Sequence, residues 1–289
     1  MPKAVGDTYT AGQHWEVRLG DTSKATEDRD VAAQYRDSDR LKRRANIHQY
    51  GQSGINWFGW VAREARLAEG DAVLEVGCGP GWLWEQGAAD FPPGLRLTLT
   101  DLSPGMVEEA RQRVSALPGF AGAAFRQADV LALPFADASF DAVIACHMLY
   151  HVRDAEWALD EMQRVLRPGG TMVVTTNGED NMAEMYALAA RVFGGTPVDP
   201  SGLWFGLDKA ERVLGARLDA VEVAVYRDTL LVPEGQDIVA TLTSYPPGDT
   251  ATPEQLAQLH QLIAAGMAAQ GGTFRIGKRM GLVRGRKPM

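Results

Sequence analysis

The sequence predicts an α/β protein built on a doubly wound, mostly parallel sheet. From about residue 70, short apolar segments alternate with segments of helical periodicity, and a glycine-rich turn, VGCGPG, follows the first apolar segment. Strands that alternate with helices form parallel sheets with right-handed crossovers, and the helices then cover both faces. The 289 residues and their 45% hydrophobic content are sufficient for such a core.

The predicted strands of the first half are AVLEV at 72–76, LRLTLT at 95–100, AAFRQAD at 123–129, FDAVIAC at 140–146 and TMVVTT at 171–176. Between them, WLWEQGAADF, SPGMVEEARQRVSAL and AEWALDEMQRVL have helical periodicity. The second of these helices opens with Ser103 followed by Pro104, a favourable cap and first-turn pair. The third ends at Arg167-Pro168-Gly169-Gly170, because proline and glycine do not continue a helix.

The pattern weakens after Asn177. We predict helices at 181–193 and 208–218, a strand at 220–232, a helix from about 253 to 270, and a last strand in GTFRIGKRMGLVRG. Two or three helices are expected between Asp28 and Leu67, across the edge of the sheet, after a polar segment of about 25 residues. The predicted division is therefore an N-terminal arm and helical lid at 1–69 and a sheet domain at 70–289, with 178–210 as an insertion covering the substrate.

Charge and composition disfavour several classes of function. The formal net charge is -8, whereas nucleic-acid binding depends on clustered Lys and Arg. Two local basic runs, 36–44 and 275–287, are expected to be solvated, although the first would also suit an anionic acceptor. Two cysteines, no signal-peptide pattern and no long apolar run predict a cytoplasmic protein without a membrane span. The oligomeric state is not predicted.

The glycine-rich turn does not have the spacing of a dinucleotide-binding turn. Gly77, Gly79 and Gly81 occupy alternate positions, whereas G-x-G-x-x-G would need a third glycine where Trp82 stands. The turn also contains no Lys or Arg to bind a pyrophosphate. The spacing therefore argues against NAD.

A nucleoside site is expected where the carboxyl ends of the strands meet. The loops there supply Glu75, Gly77, Gly79 and Gly81 from the first strand, Asp101 from the second, Asp129, Val130 and Leu131 from the third, and Cys146, His147 and Met148 from the fourth. Glycines expose backbone amides to a ligand, and Asp101 can accept both hydroxyls of a ribose. Asp129 beside Val130 suits the edge and the face of a base. For Glu75, a direct ligand contact and a bracing role within the turn both remain open.

The segments VLEVGCGPG, LTLTDLSPGMVEEAR, ADVLALPFADASFDAVIACHMLYHV and RVLRPGG resemble, in order and separation, the motifs of the class I S-adenosylmethionine-dependent methyltransferases, and especially the branch that acts on small molecules. The resemblance covers about residues 70–177. It implies a seven-stranded Rossmann-like methyltransferase fold with an antiparallel last strand, S-adenosylmethionine as cofactor and a small-molecule acceptor, in secondary metabolism.

The resemblance also implies which residues bind the cofactor. Gly77, Gly79 and the nearby backbone of Cys78 and Gly81 would contact its methionine portion, and Asp101 would bind the ribose hydroxyls. Leu102 and Met106 would lie near the adenine, Asp129 would accept a hydrogen bond from the adenine amino group, and Val130 would flank the ring.

The segment CHMLYHV supplies the candidate catalytic residues. Methyl transfer depends mainly on proximity and alignment, so a base is needed only where the acceptor must lose a proton. His147 and His151 are four residues apart and are the candidates, and His147 is also expected to face the cofactor. His151 has the alternative role of capping the next helix. No H-E-x-x-H motif or third ligand accompanies the two histidines, so no metal site is predicted.

The acceptor is expected to lie under aromatic and methionine side chains outside the repeating sheet unit. The predicted acceptor contacts are Tyr35, Tyr50, Trp57 and Tyr150, and the wider lid would include Phe58, Met182, Met185, Tyr186, Trp204 and Phe205. Two alternative functions remain: a cofactor-binding or regulatory protein without catalysis, and a protein methyltransferase.

Overall fold

A computed structural model describes residues 38–289. Its seven strands form one sheet, and they are β1 (Ala72–Val76), β2 (Arg96–Asp101), β3 (Ala124–Gln127), β4 (Phe140–Cys146), β5 (Leu166–Asn177), β6 (Asp219–Val232) and β7 (Phe274–Arg286). The order across the sheet is β3-β2-β1-β4-β5-β7-β6. β7 is antiparallel to both of its neighbours, and the other pairs are parallel. The predicted doubly wound sheet with an antiparallel last strand is confirmed.

The α-helices are α1 (Asp39–Ala45), α2 (Trp57–Ala65), α3 (Trp82–Gly87), α4 (Pro104–Val114), α5 (Ala155–Val165), α6 (Ala183–Phe193), α7 (Pro200–Phe205), α8 (Leu207–Gly215), α9 (Gly235–Leu242) and α10 (Pro253–Ala269). Short 3-10 turns occur at Asn46–Tyr50, Val130–Ala132, Leu149–His151 and Gly248–Thr250. Ser103 caps α4 as predicted, accepting a hydrogen bond from Met106 N. None of the helices in this part of the chain is long and apolar enough to cross a membrane.

Several element boundaries differ from the predicted ones. β5 begins at Leu166 rather than at Thr171, because Leu166 already pairs with Phe140, and residues 167–170 form an irregular bulge beside β4 with Gly169 at φ +72°. The sequence did not predict α7 or α9. Helix α7 begins at a proline, and its cap Asp199 accepts from Ser201 N. These differences lie at the ends of elements and in the less regular second half of the chain.

Each face of the sheet carries its own hydrophobic core. Helices α2, α3 and α4 cover one face, with Val61, Ala62, Ala65, Leu83, Trp84, Ala110 and Val114 buried against it. Helices α5 and α8 cover the other, with Ala158, Leu159, Met162, Val165, Ala210, Val213 and Leu214 buried. Alternate strand residues point to opposite faces, so Leu74 and Val76 belong to the second core and Val73 to the first. The two cores fix the strand ends that form the site.

β6 and β7 extend past the rest of the sheet. β5 ends at Asn177, which pairs with Met280, whereas β7 continues to pair with β6 back to Phe274. Helices α6, α9 and α10 pack on this extension and form a third core. The extension therefore stands beyond the carboxyl end of β5, over the edge where the site is predicted.

The segment before β1 lies partly along the sheet edge, as predicted. Gly51 forms an antiparallel bridge with Leu230 of the edge strand β6, and Ile47 is fully buried in the third core. Helix α2 instead packs on a face, against α3. The predicted helical residues 28–37, Tyr35 among them, and the polar arm lie outside the described residues.

Candidate functional site

A cavity of about 1220 Å³ opens at the carboxyl ends of the central strands. Its walls come from the loops after β1, β2, β3 and β4, which were expected to meet here, and from segments that the strand pattern did not include: 41–58, 177–201, 226–246 and 278–280. The first set forms the end that we call the glycine-turn end. The second set forms the other end, which we call the aromatic end.

The glycines of the turn have different roles. All three have positive φ angles, +62° at Gly77, +52° at Gly79 and +80° at Gly81. A Cβ on Gly79 would meet no atom within 4 Å, so its backbone borders open space in the cavity wall. A Cβ on Gly77 would lie 2.8 Å from Met148, so this glycine lets the loop after β4 approach.

Gly81, the third glycine of the turn, lies against helix α4. It is not among the residues that line the cavity, and a Cβ there would lie 2.8 Å from Cγ2 of Val114 and 3.2 Å from Cα of Ala110. Its missing side chain therefore serves the packing of the turn on α4. The helix fills the open side of Gly81, and the contact of its backbone with the cofactor stays a prediction.

Asp101 closes the glycine turn from the end of β2. Its Oδ2 accepts a hydrogen bond of 2.9 Å from Gly79 N, and its Oδ1 accepts one of 2.8 Å from Ser103 N. Burial raises the pKa of Asp101, and the hydrogen bonds from these amides oppose that shift. Each carboxylate oxygen can accept a second hydrogen bond, so Asp101 both shapes the turn and offers acceptors to a ligand.

Glu75 lies below the turn and is fixed by a tryptophan. Its Oε2 accepts a hydrogen bond of 2.6 Å from Nε1 of Trp84, and both side chains are buried. Desolvation raises the pKa of Glu75 to about 8, against the opposing effect of that hydrogen bond. Because Glu75 also lines the cavity, it both braces the turn and borders the ligand space. Trp84 packs in the core, whereas Trp82 lines the cavity.

The residues predicted for the adenine side line the glycine-turn end together. Asp129 accepts from Leu131 N at 2.9 Å and caps the short turn that follows β3. Val130 and Met106 are buried, while Leu102 is 57% exposed at the rim. The carboxylate of Asp129 thus lies beside the apolar side chains of Val130, Met106 and Leu102, an arrangement suited to a planar base.

His147 stands between the two ends of the cavity. Its backbone has φ +52°, a left-handed conformation that is uncommon for a side-chain-bearing residue, and its amide donates to Oγ1 of Thr175. Its ring centroid lies 5.2 Å from that of Trp57, and its Nε2 is buried without a hydrogen-bond partner. Desolvation, followed by the charges of Lys278 and His151, lowers the pKa of His147 to about 3. The imidazole is therefore neutral near pH 7.

His151 and Tyr150 lie side by side further along the wall. Their rings meet edge to face with centroids 4.5 Å apart. Desolvation, followed by the charge of Arg44, lowers the pKa of His151 to about 4. His151 does not cap the following helix, because Asp154 accepts from Trp157 N there. The N-cap position therefore belongs to Asp154, whereas the alternative that His151 hydrogen-bonds the start of this helix stays a prediction.

Only some of the predicted acceptor residues line the cavity. Trp57 and Tyr150 line the cavity, as do Phe58, Met182, Met185 and Tyr186 of the predicted lid. Tyr50 is not part of the lining, and its hydroxyl donates to Asp237, so the predicted acceptor contact of Tyr50 stays a prediction. Trp204 is 59% exposed and Phe205 is buried in the second core, so neither reaches the cavity. Tyr35 lies outside the described residues.

Sequence reasoning missed part of the aromatic end. His48, Asp199, Tyr226, Asp228, Tyr245 and Lys278 line it as well. For Lys278 a signal existed, because Phe274, Ile276, Met280 and Leu282 alternate on one face of β7 and Lys278 occupies the same face. A single lysine in an apolar strand face indicates a buried charge, which is rare. The other residues carried no comparable pattern.

The two cysteines are free thiols. Sγ of Cys146 accepts a hydrogen bond of 3.3 Å from Thr175 Oγ1, and desolvation raises the pKa of both thiols. Within residues 38–289 no group of His, Cys, Asp and Glu is arranged to hold a metal ion.

Comparison with known proteins shows which proteins this chain is similar to in sequence. Residues 74–174 match the family model described as a methyltransferase domain. The ubiquinone/menaquinone biosynthesis C-methyltransferase UbiE of Geotalea uraniireducens is 33% identical over 118 residues, 41% of this chain and 50% of that protein. The malonyl-[acyl-carrier protein] O-methyltransferase of Erwinia pyrifoliae is 32% identical over 187 residues, 64% of each chain. The chain thus spans about half to two thirds of the length of these relatives.

A solved structure shares the fold across most of the chain. Phosphoethanolamine N-methyltransferase 2 of Haemonchus contortus, in complex with S-adenosyl-L-methionine, aligns with a TM-score of 0.53 and 19% identity, over 93% of this chain and 61% of that one. At this identity the likeness is one of fold.

The fold and the site define a protein of the doubly wound α/β class with a cavity at the carboxyl ends of its central strands. The sequence matches go further: residues 74–174 match a methyltransferase domain, and the relatives and the solved structure that resemble the chain are methyltransferases, one of them in complex with S-adenosyl-L-methionine. The residues present fit that cofactor, because Gly79 leaves a cradle that a Cβ would fill and Asp101 and Asp129 stand at successive strand ends.

Proposed function

We propose that this protein transfers a methyl group from S-adenosylmethionine to a small-molecule acceptor. The observation that carries the proposal is a single cavity that joins the glycine-turn end to the aromatic end. Its volume of about 1220 Å³ exceeds the roughly 300–1,000 Å³ typical of a pocket for one small ligand. The cavity therefore has room for a cofactor and an acceptor side by side.

The proposed cofactor contacts lie at the glycine-turn end. Gly77, Cys78 and Gly79 would present backbone to the methionine portion, and Asp101 would accept the ribose hydroxyls. Glu75 would hold the floor of the turn in place through its hydrogen bond from Trp84. When bound, S-adenosylmethionine supplies a methyl group already activated by a sulfonium.

The adenine is proposed to lie on Val130 and Met106, with Leu102 at the rim and Asp129 at the edge of the base. Burial of Val130 and Met106 makes this wall apolar, which suits the face of the ring. His147 would border the cofactor on the opposite side.

The acceptor is proposed to occupy the aromatic end, against Trp57 and Tyr150. His147 would meet it with the unpartnered Nε2, either as a hydrogen-bond partner or as a general base. A pKa of about 3 makes the imidazole of His147 a weak base, so positioning is its main proposed contribution. His151 would complete the same wall beside Tyr150.

The small-molecule class of acceptor rests on the shape of the site and on the relatives. Helices α1, α6 and α7 and the loop around Tyr245 wall in the aromatic end. One relative is named for ubiquinone/menaquinone biosynthesis and another for malonyl-[acyl-carrier protein]. A role in secondary metabolism and a cytoplasmic location are part of the proposal.

Two measurements test the function. Isothermal titration with S-adenosylhomocysteine measures occupation of the glycine-turn end in the wild type, in Asp101→Ala and in a control, Asp160→Asn, whose carboxylate pairs with Arg217 on the surface. We expect at least a tenfold loss of affinity in Asp101→Ala only, since two charge-assisted hydrogen bonds are removed.

A metabolite extract incubated with protein and S-adenosylmethionine is then analysed by mass spectrometry for products heavier by one methyl group. Methylated small molecules support the proposal. Cofactor binding without any product across a broad panel indicates a binding or regulatory protein, and methylation confined to added protein indicates a protein methyltransferase.

A further inference from the structure

Lys278 is a buried lysine in the wall of the aromatic end. It lies on the extension of β7, two residues beyond Met280, which pairs with the last residue of β5. At the rise of a strand, this places it roughly 7 Å past the edge of the sheet. Its exposed fraction is only 6%, which is rare for a lysine without a carboxylate partner.

No carboxylate in residues 38–289 comes within 4 Å of the Lys278 ammonium. The nearest candidate in the sheet is Asp228, its cross-strand partner on β6. Oδ1 of Asp228 is already occupied by the backbone amides of Gln52, Ser53 and Thr229, at 3.0, 2.8 and 2.7 Å. Asp228 therefore orders the chain around Gly51 and only partly offsets the charge of Lys278.

The other groups around Lys278 are neutral or aromatic. Its Nζ lies 5.3 Å from the centroid of the Tyr226 ring. Desolvation lowers the pKa of Lys278 to about 8, against the raising effect of Asp228. After the larger effect of desolvation, its charge also lowers the pKa values of His48 and His147. Protonation of either histidine is thus disfavoured while the lysine carries its charge.

Buried polar atoms beside the lysine also lack partners. Nε2 of His147 and Nε1 of Trp57 are both buried without a hydrogen bond. A buried cation and ring nitrogens without hydrogen bonds lower the stability of a folded protein unless a ligand pairs with them. An anionic oxygen is the group that would do so for the ammonium.

The walls beside Lys278 are flat and apolar. Trp57 contacts Trp60 and Tyr226 with ring centroids 5.2 Å apart in each pair, and Met148, Met182 and Met280 also line the cavity. Such walls accommodate a planar, conjugated molecule, and thioethers adapt to its outline.

We infer that Lys278 binds the anionic oxygen of a planar, conjugated acceptor, a phenolate or an enolate, and so makes the site select the acceptor as its conjugate base. This inference rests on the proposed function and names its substrate class. The acceptor releases its proton to solvent before it binds. Its electron pair then forms the bond to the methyl carbon while the carbon–sulfur bond breaks and leaves its pair on sulfur. One negative and one positive charge disappear, and His147 accepts no proton.

The test uses 4-nitrophenol and 4-nitro-1-naphthol, whose anions have their own absorbance bands, and the methyl ethers of both as neutral analogues. Binding is measured across the pH range with S-adenosylhomocysteine saturating. The variants are Lys278→Met, which keeps the length of the side chain, Lys278→Arg, which keeps its charge, and Lys209→Met, a control on α8 away from the cavity.

In the wild type we expect the pKa of at least one bound phenol to fall by about one unit or more, a tenfold preference for the anion. Lys278→Met is expected to abolish that shift and to weaken anion binding about tenfold, with the ether affected less than about threefold. Lys278→Arg should retain part of the shift, and Lys209→Met all of it.

The inference is overturned if neither phenol binds to the wild type, if ether and anion bind equally, or if Lys278→Met leaves anion binding unchanged. Titration of S-adenosylhomocysteine into the same samples separates the two proposals. If S-adenosylhomocysteine binds normally but the phenolate is not preferred over the ether, only the role of Lys278 is rejected. If S-adenosylhomocysteine does not bind, the proposed function is rejected.

Discussion

The indole of Trp84 donates a hydrogen bond of 2.6 Å to Oε2 of Glu75, and both side chains are buried under the glycine turn. This contact joins the end of β1 to helix α3, nine residues further along the chain. Desolvation raises the pKa of Glu75 to about 8, so the carboxyl group is largely protonated near pH 7. The floor of the cofactor cradle is therefore a buried, neutral acid held by an aromatic donor.

Replacement of Glu75 by Gln should flatten the pH dependence of stability. Because its folded pKa of about 8 lies above the ordinary 4.5, the contribution of Glu75 is complete below pH 4.5 and is lost as the pH rises through 8. Across this window we expect the wild type to lose up to about 1.4 kcal/mol per pH unit relative to Glu75→Gln. Urea unfolding at several pH values measures the difference, and parallel curves for the two proteins would contradict it.

Trp84→Phe should destabilise the fold. The substitution keeps an aromatic ring against Phe91, whose centroid lies 4.4 Å away, but removes the donor to Glu75. The loss of a buried hydrogen bond costs about 1–3 kcal/mol in the free energy of unfolding. Trp204→Phe is the matched control, since Trp204 is 59% exposed and should change stability by less than about 0.5 kcal/mol. Equal effects of the two substitutions would refute the bracing role.

Alanine at Gly79 and at Gly81 should have different effects. Gly79→Ala puts a methyl group into the open cradle, so we expect about a tenfold loss of affinity for S-adenosylhomocysteine and about 1 kcal/mol of backbone strain. Gly81→Ala meets Val114 at 2.8 Å, so we expect a larger loss of stability, about 1–3 kcal/mol beyond that strain. Calorimetry of binding and of unfolding separates the two, and a reversed order would contradict the assignment of the glycines.

Trp57→Phe should affect the acceptor and leave stability almost unchanged. Its Nε1 is buried without a partner, so its removal relieves an unsatisfied polar group and the free energy of unfolding should stay equal or rise by about 1 kcal/mol. With an acceptor from the metabolite screen, KM should rise about tenfold while affinity for S-adenosylhomocysteine stays constant. The control is Trp60→Phe, which keeps the ring stack but lies outside the lining. Similar KM values for both variants would reject the contact.

The glycine-turn end could be predicted because its residues lie at the ends of strands that the sequence marks clearly. Asp101 and Asp129 follow predicted strands, and in a parallel sheet those ends converge by geometry. The packing of Gly81 against α4 could not be predicted, because spacing in sequence does not show which glycine faces a helix. The hydrogen bond of Tyr50 could not be predicted either, since its partner Asp237 is 187 residues away.

The sequence by itself determined the class of fold, the turn at 77–81 and the two strand-end carboxylates, because local periodicity and glycine spacing are properties of short segments. Only the tertiary structure decided that Lys278 and His147 share one wall. That neighbourhood depends on β6 and β7 running past the end of β5, a matter of long-range strand register and of the core beneath α6, α9 and α10. Contacts of this kind are selected by burial over the whole molecule and leave little trace in any one segment.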